Sequence, residues 1–295
     1  MSRRLDIGIT LGDCAGIGPE IVDLALKSDR ILQSAECKII GKYPNCLPGR
    51  PTIETAHAAE AALEEAVTLA RRGELDAIVT GPIHKARMFQ AGFTFPGQTE
   101  FFAERCGVKN FAMCLTGEKI TVALVTTHIP LSEVPHTLKR SEIVRVGLLL
   151  LDFLLRRGIA APRIALAGLN PHAGECGKFG REEIEIIAPA VKQLKSEIRN
   201  RKSEIIGPVS PDTVFHRAVE GEFDGVLCMY HDQGLIPLKL HAFHSSVNVT
   251  LGLPFPRTSP DHGTAFEITG KGVARPDSMI AAINLAAKLA RRGKR

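Results

Sequence analysis

Short apolar segments alternate with longer amphipathic segments along most of this chain. The short segments are rich in Val and Ile and end at Gly, Pro, Asn, His or Asp, which is typical of buried strands. They are Ile7–Leu11, Cys37–Ile40, Asp76–Thr80, Ile120–Thr126, Arg163–Leu169 and Asp224–Met229. The longer segments follow a helical pattern, and they are Thr55–Arg72, Ser141–Arg157, Arg181–Arg201 and Pro276–Arg292. Strand followed by helix, repeated in this way, predicts an α/β fold with a mostly parallel sheet. The length of 295 residues is enough for two domains of about 150 residues each.

Composition excludes several classes of partner. The net charge is only +5, aromatic residues make up 5%, and Trp is absent, so a nucleic-acid surface is not expected. The longest apolar run, Val146–Leu155, is interrupted by Asp152 and is too short for a membrane span. The first residues reach Asp6 before any apolar segment, which argues against a secretory signal. Seven cysteines without a Cys-x-x-Cys pair indicate reduced thiols. We therefore expect a soluble cytoplasmic protein that binds neither nucleic acid nor membrane.

Three of the predicted strands lead directly into a histidine. His128 follows Ile120–Thr126, and His172 follows the strand that begins at Arg163. His231 follows Asp224–Met229. If these strands are parallel in one sheet, their imidazoles project from one edge, and three imidazoles with an open position make a catalytic zinc-type site. The alternative is that each histidine merely caps a strand or satisfies a loop.

A second group of residues offers charge and hydrogen bonds. Lys239 lies in an apolar stretch, Asn248 in a strand-like run and Arg257 after Pro256, and together they could bind a phosphate or a carboxylate. The alternative is three ordinary surface residues. Gln98 and Thr99 add neutral hydrogen-bonding groups at a predicted helix start, where Thr99 would serve equally well as an N-cap.

Two loops could approach a ligand through their backbone. The first loop, residues 12–20, contains three glycines but lacks the Gly-x-Gly-x-x-Gly fingerprint, and no other segment supplies it. The second is the turn His262-Gly263-Thr264-Ala265, which can present N–H groups and an imidazole. Each loop is also explained by a purely structural turn.

These residues stand in strings that resemble the 4-hydroxythreonine-4-phosphate dehydrogenase family of pyridoxal phosphate biosynthesis. The resemblance runs from the first loop to the final helix. Its strings are GDCAGIGPE (12–20), TGPIHK (80–85), FPGQTEFF (95–102), TTHIPL (126–131), NPHAGE (170–175), GPVSPDT (207–213), MYHDQGLIPLK (229–239) and VNVTLGLPFPRTSPDHGTA (247–265).

The resemblance implies a divalent metal ion bound by His128, His172 and His231, with zinc as the first candidate and magnesium or cobalt as alternatives. It also implies a homodimer whose metal site takes ligands from both subunits. Asp232 is a candidate partner that orients His231.

Substrate contacts carried over by position are Gln98, Thr99, Lys239, Asn248 and Arg257. One residue departs from the family pattern, because members usually have His where this chain has Gln98. Gln can hydrogen-bond but does not titrate near neutral pH, so an acid–base role there is in doubt and substrate preference is open to change.

The implied fold resembles the isocitrate and isopropylmalate dehydrogenases, not a Rossmann domain, which agrees with the missing glycine fingerprint. By that analogy the turn formed by His262, Gly263, Thr264 and Ala265 contacts NAD or NADP. The predicted domains are a discontinuous α/β domain of residues 1–95 plus 258–295, and a second α/β domain of residues 96–257 that carries the metal histidines and the dimer interface. The active site is expected in the cleft between them.

The predicted function is NAD(P)-dependent oxidation of 4-phosphooxy-L-threonine to 2-amino-3-oxo-4-phosphooxybutanoate, which decarboxylates to 3-amino-2-oxopropyl phosphate. One alternative is a related dehydrogenase of another four-carbon phosphorylated hydroxy acid, a threonate or erythronate 4-phosphate. A more distant alternative is a non-catalytic binding protein that has kept the fold.

Overall fold

The structure is a computed structural model that describes residues 3–199 and 202–293. The strands in chain order are β1 (Leu5–Thr10), β2 (Ala35–Ile40), β3 (Ala77–Thr80), β4 (Ala112–Thr116), β5 (Thr121–Leu124), β6 (Arg163–Ala167), β7 (Glu204–Val209), β8 (Gly225–Cys228), β9 (Val247–Leu251) and β10 (Arg257–Pro260). The α-helices are α1 (Gly18–Leu26), α2 (Ile53–Arg71), α3 (Lys85–Gln90), α4 (Gln98–Arg105), α5 (Val134–Thr137), α6 (Arg140–Arg157), α7 (Ala188–Glu197), α8 (Val214–Val219), α9 (His231–Ala242) and α10 (Asp277–Gly293).

The chain divides into two compact units, and the first is discontinuous. It contains the residues up to Lys109 together with those from His244 onward. Its strands lie in the order β2-β1-β3-β10-β9, and all neighbouring pairs are parallel except β10 with β9. Its core contains Leu63 from the buried face of α2, Ile78 of β3, and the aromatic residues Phe101 and Phe102 of α4.

The second unit spans Asn110–Phe243 and contains all three predicted metal ligands. Its strands lie in the order β4-β5-β8-β6-β7, with an antiparallel pair β4–β5 and parallel pairs elsewhere. Val122, Leu124 and Val226 are fully buried and pack with Leu235 and Leu238 of α9. Burial on both faces explains why these strands are continuously apolar in sequence.

The predicted α/β fold with a mostly parallel sheet is confirmed. The first unit extends to Lys109 and resumes at His244, whereas the sequence predicts a first domain of residues 1–95 plus 258–295. The difference arises because α4 packs its aromatic residues into the first core and β9 pairs with β10 there.

The local signals in the sequence explain where the long helices begin and end. Thr52 caps α2 because its hydroxyl accepts a hydrogen bond from the Thr55 N–H, and the Thr52 N–H in turn donates to the Thr55 hydroxyl. Gly158 ends α6 in the left-handed conformation, with a φ of 101°. Among the described residues, no helix combines the length and apolar character needed to cross a bilayer.

Candidate active site

The three predicted metal ligands follow three neighbouring strands of the second unit. β5 pairs in parallel with β8, and β8 pairs in parallel with β6. His128, His231 and His172 come after these strands in the same order. The carboxyl ends of parallel strands meet at one sheet edge, which is where ligands bind in α/β proteins. The strands therefore supply the common edge that the histidine hypothesis requires.

Two of the three imidazoles lie side by side. The ring centres of His128 and His231 are 5.5 Å apart, and the ring planes are inclined at 45°. Two imidazoles that bind one zinc ion at about 2.0–2.1 Å have ring centres roughly 5 Å apart. Nδ1 of His231 lies 2.7 Å from Oδ1 of Asp232, which leaves Nε2 available as the coordinating atom. This pair fits a shared divalent ion.

His172 occupies an unusual backbone turn. The φ angles of His172, Ala173, Glu175 and Cys176 are 52°, 52°, 41° and 56°, and Gly174 between them has a φ of 77°. A left-handed conformation costs a non-glycine residue roughly 1–2 kcal/mol. Strain of this kind persists only where the surroundings impose it, and it is concentrated at functional sites. The turn therefore holds His172 in a defined position at a cost to stability.

The turn is anchored by a residue that the sequence did not single out. Glu183 is 3% exposed. Its Oε1 accepts the N–H groups of Leu169 and Asn170, each at 2.7 Å, and its Oε2 accepts the side-chain amide of Asn170 at 2.9 Å. Within the predicted helix Arg181–Arg201, Glu183 has no sequence feature that distinguishes it from the exposed carboxylates nearby.

His172 does not join the other two histidines within one chain. Across residues 3–199 and 202–293, no group of three or more His, Cys, Asp or Glu side chains is arranged to hold a metal ion. The structure thus brings His128 and His231 together and leaves His172 outside their group.

In the first unit, Arg257 is a buried cation whose hydrogen-bond partners are neutral. It is 3% exposed, and its guanidinium donates to Thr80 at 2.5 Å, to Gln98 at 2.7 Å and to Thr250 at 3.2 Å. Burial lowers the pKa of Arg257 to about 10, so the side chain stays charged at neutral pH. Its Nε is buried and has no hydrogen-bond partner in the described part of the chain. Its hydrogen-bond partners are all neutral, although the Glu100 carboxylate is close enough to act on its pKa by charge, and a buried cation of this kind favours an anionic ligand.

Gln98 and Thr99 open α4 beside this cation. Nε2 of Gln98 donates to the Gly81 carbonyl at 3.0 Å, so both ends of the amide are engaged. The hydroxyl of Thr99 lies 3.3 Å from that of Thr250, which is also a partner of Arg257. The structure therefore joins three of the predicted substrate residues in one hydrogen-bonded cluster.

Thr99 does not cap α4. The N-cap position is Gly97, whose backbone is extended, and Thr99 lies inside the helix, which begins at Gln98. The alternative explanation of Thr99 as an N-cap is therefore wrong, and its hydroxyl is available for the cluster.

Asn248 and Lys239 belong to different units. Asn248 lies two residues before Thr250 on β9, so both side chains emerge on the same face of the sheet. Its Oδ1 is buried and lacks a hydrogen-bond partner among the residues the structure describes, which favours a donor from a ligand. Lys239 lies half-buried in α9 of the second unit.

The predicted cofactor turn packs against the first loop. The Ile17 N–H donates to the Thr264 carbonyl at 2.9 Å, and a Cβ on Gly16 would lie 2.8 Å from the same oxygen. Ala265 is left-handed, with a φ of 44°. A Cβ on Gly263 would meet no atom within 4 Å, so the outer side of this turn is open to a ligand. The open backbone fits the predicted contact with a nicotinamide cofactor.

Comparison with known proteins gives a family match over most of the chain. Residues 20–286 match the family described as "Pyridoxal phosphate biosynthetic protein PdxA". A 4-hydroxythreonine-4-phosphate dehydrogenase of Caulobacter vibrioides is 42% identical, over 97% of this chain and 98% of its own length. A D-threonate 4-phosphate dehydrogenase of Pectobacterium atrosepticum is 40% identical, over 96% of this chain and 99% of its own length.

Solved structures agree with this match. The crystal structure of a 4-hydroxythreonine-4-phosphate dehydrogenase from Klebsiella pneumoniae has a TM-score of 0.81 at 37% identity, over 98% of this chain and 100% of that chain. A β-decarboxylating dehydrogenase from Thermococcus kodakarensis has a TM-score of 0.53 at 15% identity, over 96% of this chain and 81% of that chain, and shows the fold alone. The expected similarity to β-decarboxylating dehydrogenases is therefore confirmed at the level of fold.

Proposed function

Because this chain belongs to the PdxA family of pyridoxal phosphate biosynthetic proteins, we propose that it oxidises 4-phosphooxy-L-threonine with a nicotinamide cofactor. The predicted enzyme class, a dehydrogenase, is borne out by relatives of nearly the same length. The structural observation that carries the proposal is the His128–His231 pair at the sheet edge, with ring centres 5.5 Å apart.

The reaction converts a secondary alcohol to a ketone. Hydride leaves C3 of the substrate for NAD+ or NADP+, and the hydroxyl proton is lost. The product, 2-amino-3-oxo-4-phosphooxybutanoate, is a β-keto acid, and it loses CO2 to give 3-amino-2-oxopropyl phosphate.

His128, His172 and His231 are the proposed ligands of a divalent ion. Three neutral imidazoles favour zinc, with cobalt or magnesium as alternatives. An ion bound there supplies Lewis-acid stabilisation of the negative charge that develops on the substrate oxygen. The Asp232 carboxylate accepts a hydrogen bond from the Nδ1–H of His231. This bond favours the tautomer in which Nε2 is the metal ligand.

The proposed substrate contacts supply two cations and three neutral groups. Arg257 and Lys239 match the two anionic groups of the substrate, its phosphate and its carboxylate. Gln98, Thr99 and Asn248 supply hydrogen bonds. Gln98 already bridges Arg257 and the Gly81 carbonyl, so its role is to orient the guanidinium and contact substrate rather than to transfer a proton.

The proposed cofactor contact is the turn from His262 to Ala265. Its support is the open outer side of Gly263 and the anchoring of Thr264 to the first loop. The proposal takes NAD or NADP as the cofactor and the cytoplasm as the location of the protein.

We further propose that the active form is a homodimer in which His172 of one subunit completes the His128–His231 pair of the other. The support is the absence of a three-residue metal group within the described part of one chain. Next to His231, α9 also carries exposed apolar side chains, with Ile236 at 65% and Leu240 at 89% exposure. Exposed apolar patches of this kind mark protein interfaces.

Mixed dimers test this arrangement directly. We would co-express differently tagged His172→Ala and His231→Ala subunits and purify dimers that carry both tags. One of the two sites in such a dimer is complete, so about half of the wild-type turnover should return although each parent is inactive. The matched control pairs His128→Ala with His231→Ala, where every site lacks one ligand and activity should stay absent. Purified mixed dimers of the first kind without activity would contradict the shared site.

Substrate choice has a second candidate, D-threonate 4-phosphate, because a relative at 40% identity carries that specificity in its name. The two substrates differ at C2, where one has an ammonium group and the other a hydroxyl. We would measure NADH or NADPH formation with each substrate, with and without a chelator. We expect a higher kcat/KM for 4-phosphooxy-L-threonine and loss of turnover on chelation. Higher kcat/KM for the threonate would replace the first candidate with the second.

A further inference from the structure

Glu183 is a buried carboxylate whose charge is met by N–H groups. Three N–H donors reach it, two from the backbone and one from the Asn170 side chain. A carboxylate removed from water needs such charge-assisted bonds, and they are stronger than bonds between neutral groups. Among the described residues, Glu183 makes no ion pair. Its interactions are therefore directed at one segment, the residues between β6 and His172.

The same carboxylate also packs closely against the two glycines Gly168 and Gly174, which lie on either side of His172 in the chain. A Cβ on Gly174 would lie 2.6 Å from Oε2 of Glu183, and a Cβ on Gly168 would lie 3.3 Å from Oε1. Glu183 thus fills the space that glycine leaves open at both ends of the segment that contains His172. Removing or enlarging either partner changes the path of that segment.

The local backbone at Glu183 is also irregular. Glu183 begins the π-helical segment Glu183–Ile187, which leads into α7. Single π-helical turns are rare and often lie at functional sites. Glu185, two residues further on, is exposed and pairs with Arg181, so the segment points one carboxylate inward and another outward.

We infer that Glu183 is a positioning residue, whose carboxylate fixes the left-handed turn so that His172 is presented to the metal ion. The inference rests on the proposed function in one respect, which is that His172 is a metal ligand. Glu183 itself touches neither substrate nor ion in this assignment. It acts through the backbone of Leu169 and Asn170.

The test compares Zn2+ affinities of metal-free protein by competition with a chromophoric chelator. The variant Glu183→Gln keeps the size of the side chain but turns an amide donor toward one of the three N–H donors. We expect its dissociation constant for Zn2+ to rise about 10–100-fold, as for other residues that orient metal ligands. The matched control, Glu185→Gln, removes an exposed carboxylate from the same helical segment and should leave the affinity unchanged.

Two further measurements separate positioning from general stability. In hydrogen exchange, the amides of Leu169 and Asn170 should exchange faster in Glu183→Gln than in Glu185→Gln, without metal present. Steady-state kinetics should show a lower kcat for Glu183→Gln with an unchanged KM for the cofactor. A Glu183→Gln protein that melts at lower temperature but binds Zn2+ like the wild type would overturn the inference.

The variants His172→Ala and Gly174→Ala complete the design. If His172→Ala binds Zn2+ like the wild type, the ligand role in the proposed function fails. If His172→Ala loses affinity and Glu183→Gln does not, only the inference about Glu183 fails. Should Glu183→Gln not fold, Gly174→Ala disturbs the same contact from the turn, and wild-type Zn2+ affinity in that variant would equally reject the inference.

Discussion

Gln98 bridges the buried guanidinium of Arg257 and a backbone carbonyl. Its Oε1 accepts a hydrogen bond from Arg257 at 2.7 Å, and its Nε2 donates to the Gly81 carbonyl at 3.0 Å. An amide performs both tasks at any pH, because it carries a donor and an acceptor without titrating. The histidine that the family resemblance leads one to expect at this position would perform both only while neutral.

The variant Gln98→His should therefore acquire a pH dependence that the wild type lacks at this position. Protonation of the introduced imidazole, near its ordinary pKa of about 6.5, removes the acceptor for Arg257 and adds a second cation. We expect the ratio of kcat/KM, variant to wild type, to fall as the pH decreases from 8 to 5.5. Parallel pH profiles for the two proteins would show that Gln98 does not orient Arg257.

The variant Arg257→Lys tests whether the geometry of the guanidinium matters beyond its charge. Lysine retains the cation but cannot reach Thr80, Thr250 and Gln98 at once. We expect KM for the phosphorylated substrate to rise about tenfold, which corresponds to ~1.4 kcal/mol, while KM for the cofactor is unchanged. The control Arg217→Lys alters a half-buried arginine of α8 that pairs with Glu222, and it should leave both constants at their wild-type values. An unchanged substrate KM in Arg257→Lys would remove Arg257 from the anion site.

The sequence predicts the strands that are buried on both faces, because such strands are continuously apolar. It misses β10, which reads Arg-Thr-Ser-Pro and has Pro260 as its one apolar residue, although all four residues are buried between β3 and β9. It also misses β4 and β7, although both strands are largely apolar, so polarity explains only the failure at β10. Burial of polar strands depends on partners that are distant in sequence, such as Gln98 for Arg257, and no local pattern records those partners.

The sequence identifies candidate site residues where a chemically suitable side chain directly follows a predicted strand. The histidines are candidates from the sequence because each follows a strand, and Asp232 is a candidate because it adjoins His231. Glu183 is not found, since its role depends on a carboxylate that turns inward from a helix. The left-handed turn at His172 and Ala173 also has no signal in the sequence, because residue preferences oppose that backbone and only tertiary contacts impose it.

The contact between His231 and Asp232 leads to an expectation about metal affinity. The variant Asp232→Asn removes the carboxylate that accepts a hydrogen bond from the Nδ1–H of His231. It therefore weakens the preference for the tautomer in which Nε2 can bind the metal ion. We expect the affinity for Zn2+ to fall about 10–100-fold, measured by chelator competition on the folded protein. The control Asp152→Asn changes an exposed carboxylate on α6 and should have no effect. Equal affinities for the two variants would exclude an orienting role for Asp232.

The thiol of Cys14 in the first loop should react only at high pH. Burial and the neighbouring Cys46 thiol, 3.3 Å away between sulfur atoms, raise the pKa of Cys14 to about 12. The thiolate is the reactive form, and below the pKa its fraction grows about tenfold for each pH unit. We therefore expect alkylation of Cys14 by iodoacetamide to be slow at pH 8 and to accelerate steadily toward pH 11. The exposed Cys176 serves as the internal reference in peptide mass mapping. Labelling of Cys14 as fast as Cys176 at pH 8 would mean that the first loop opens in solution, which would also loosen its contact with the proposed cofactor turn through Ile17 and Thr264.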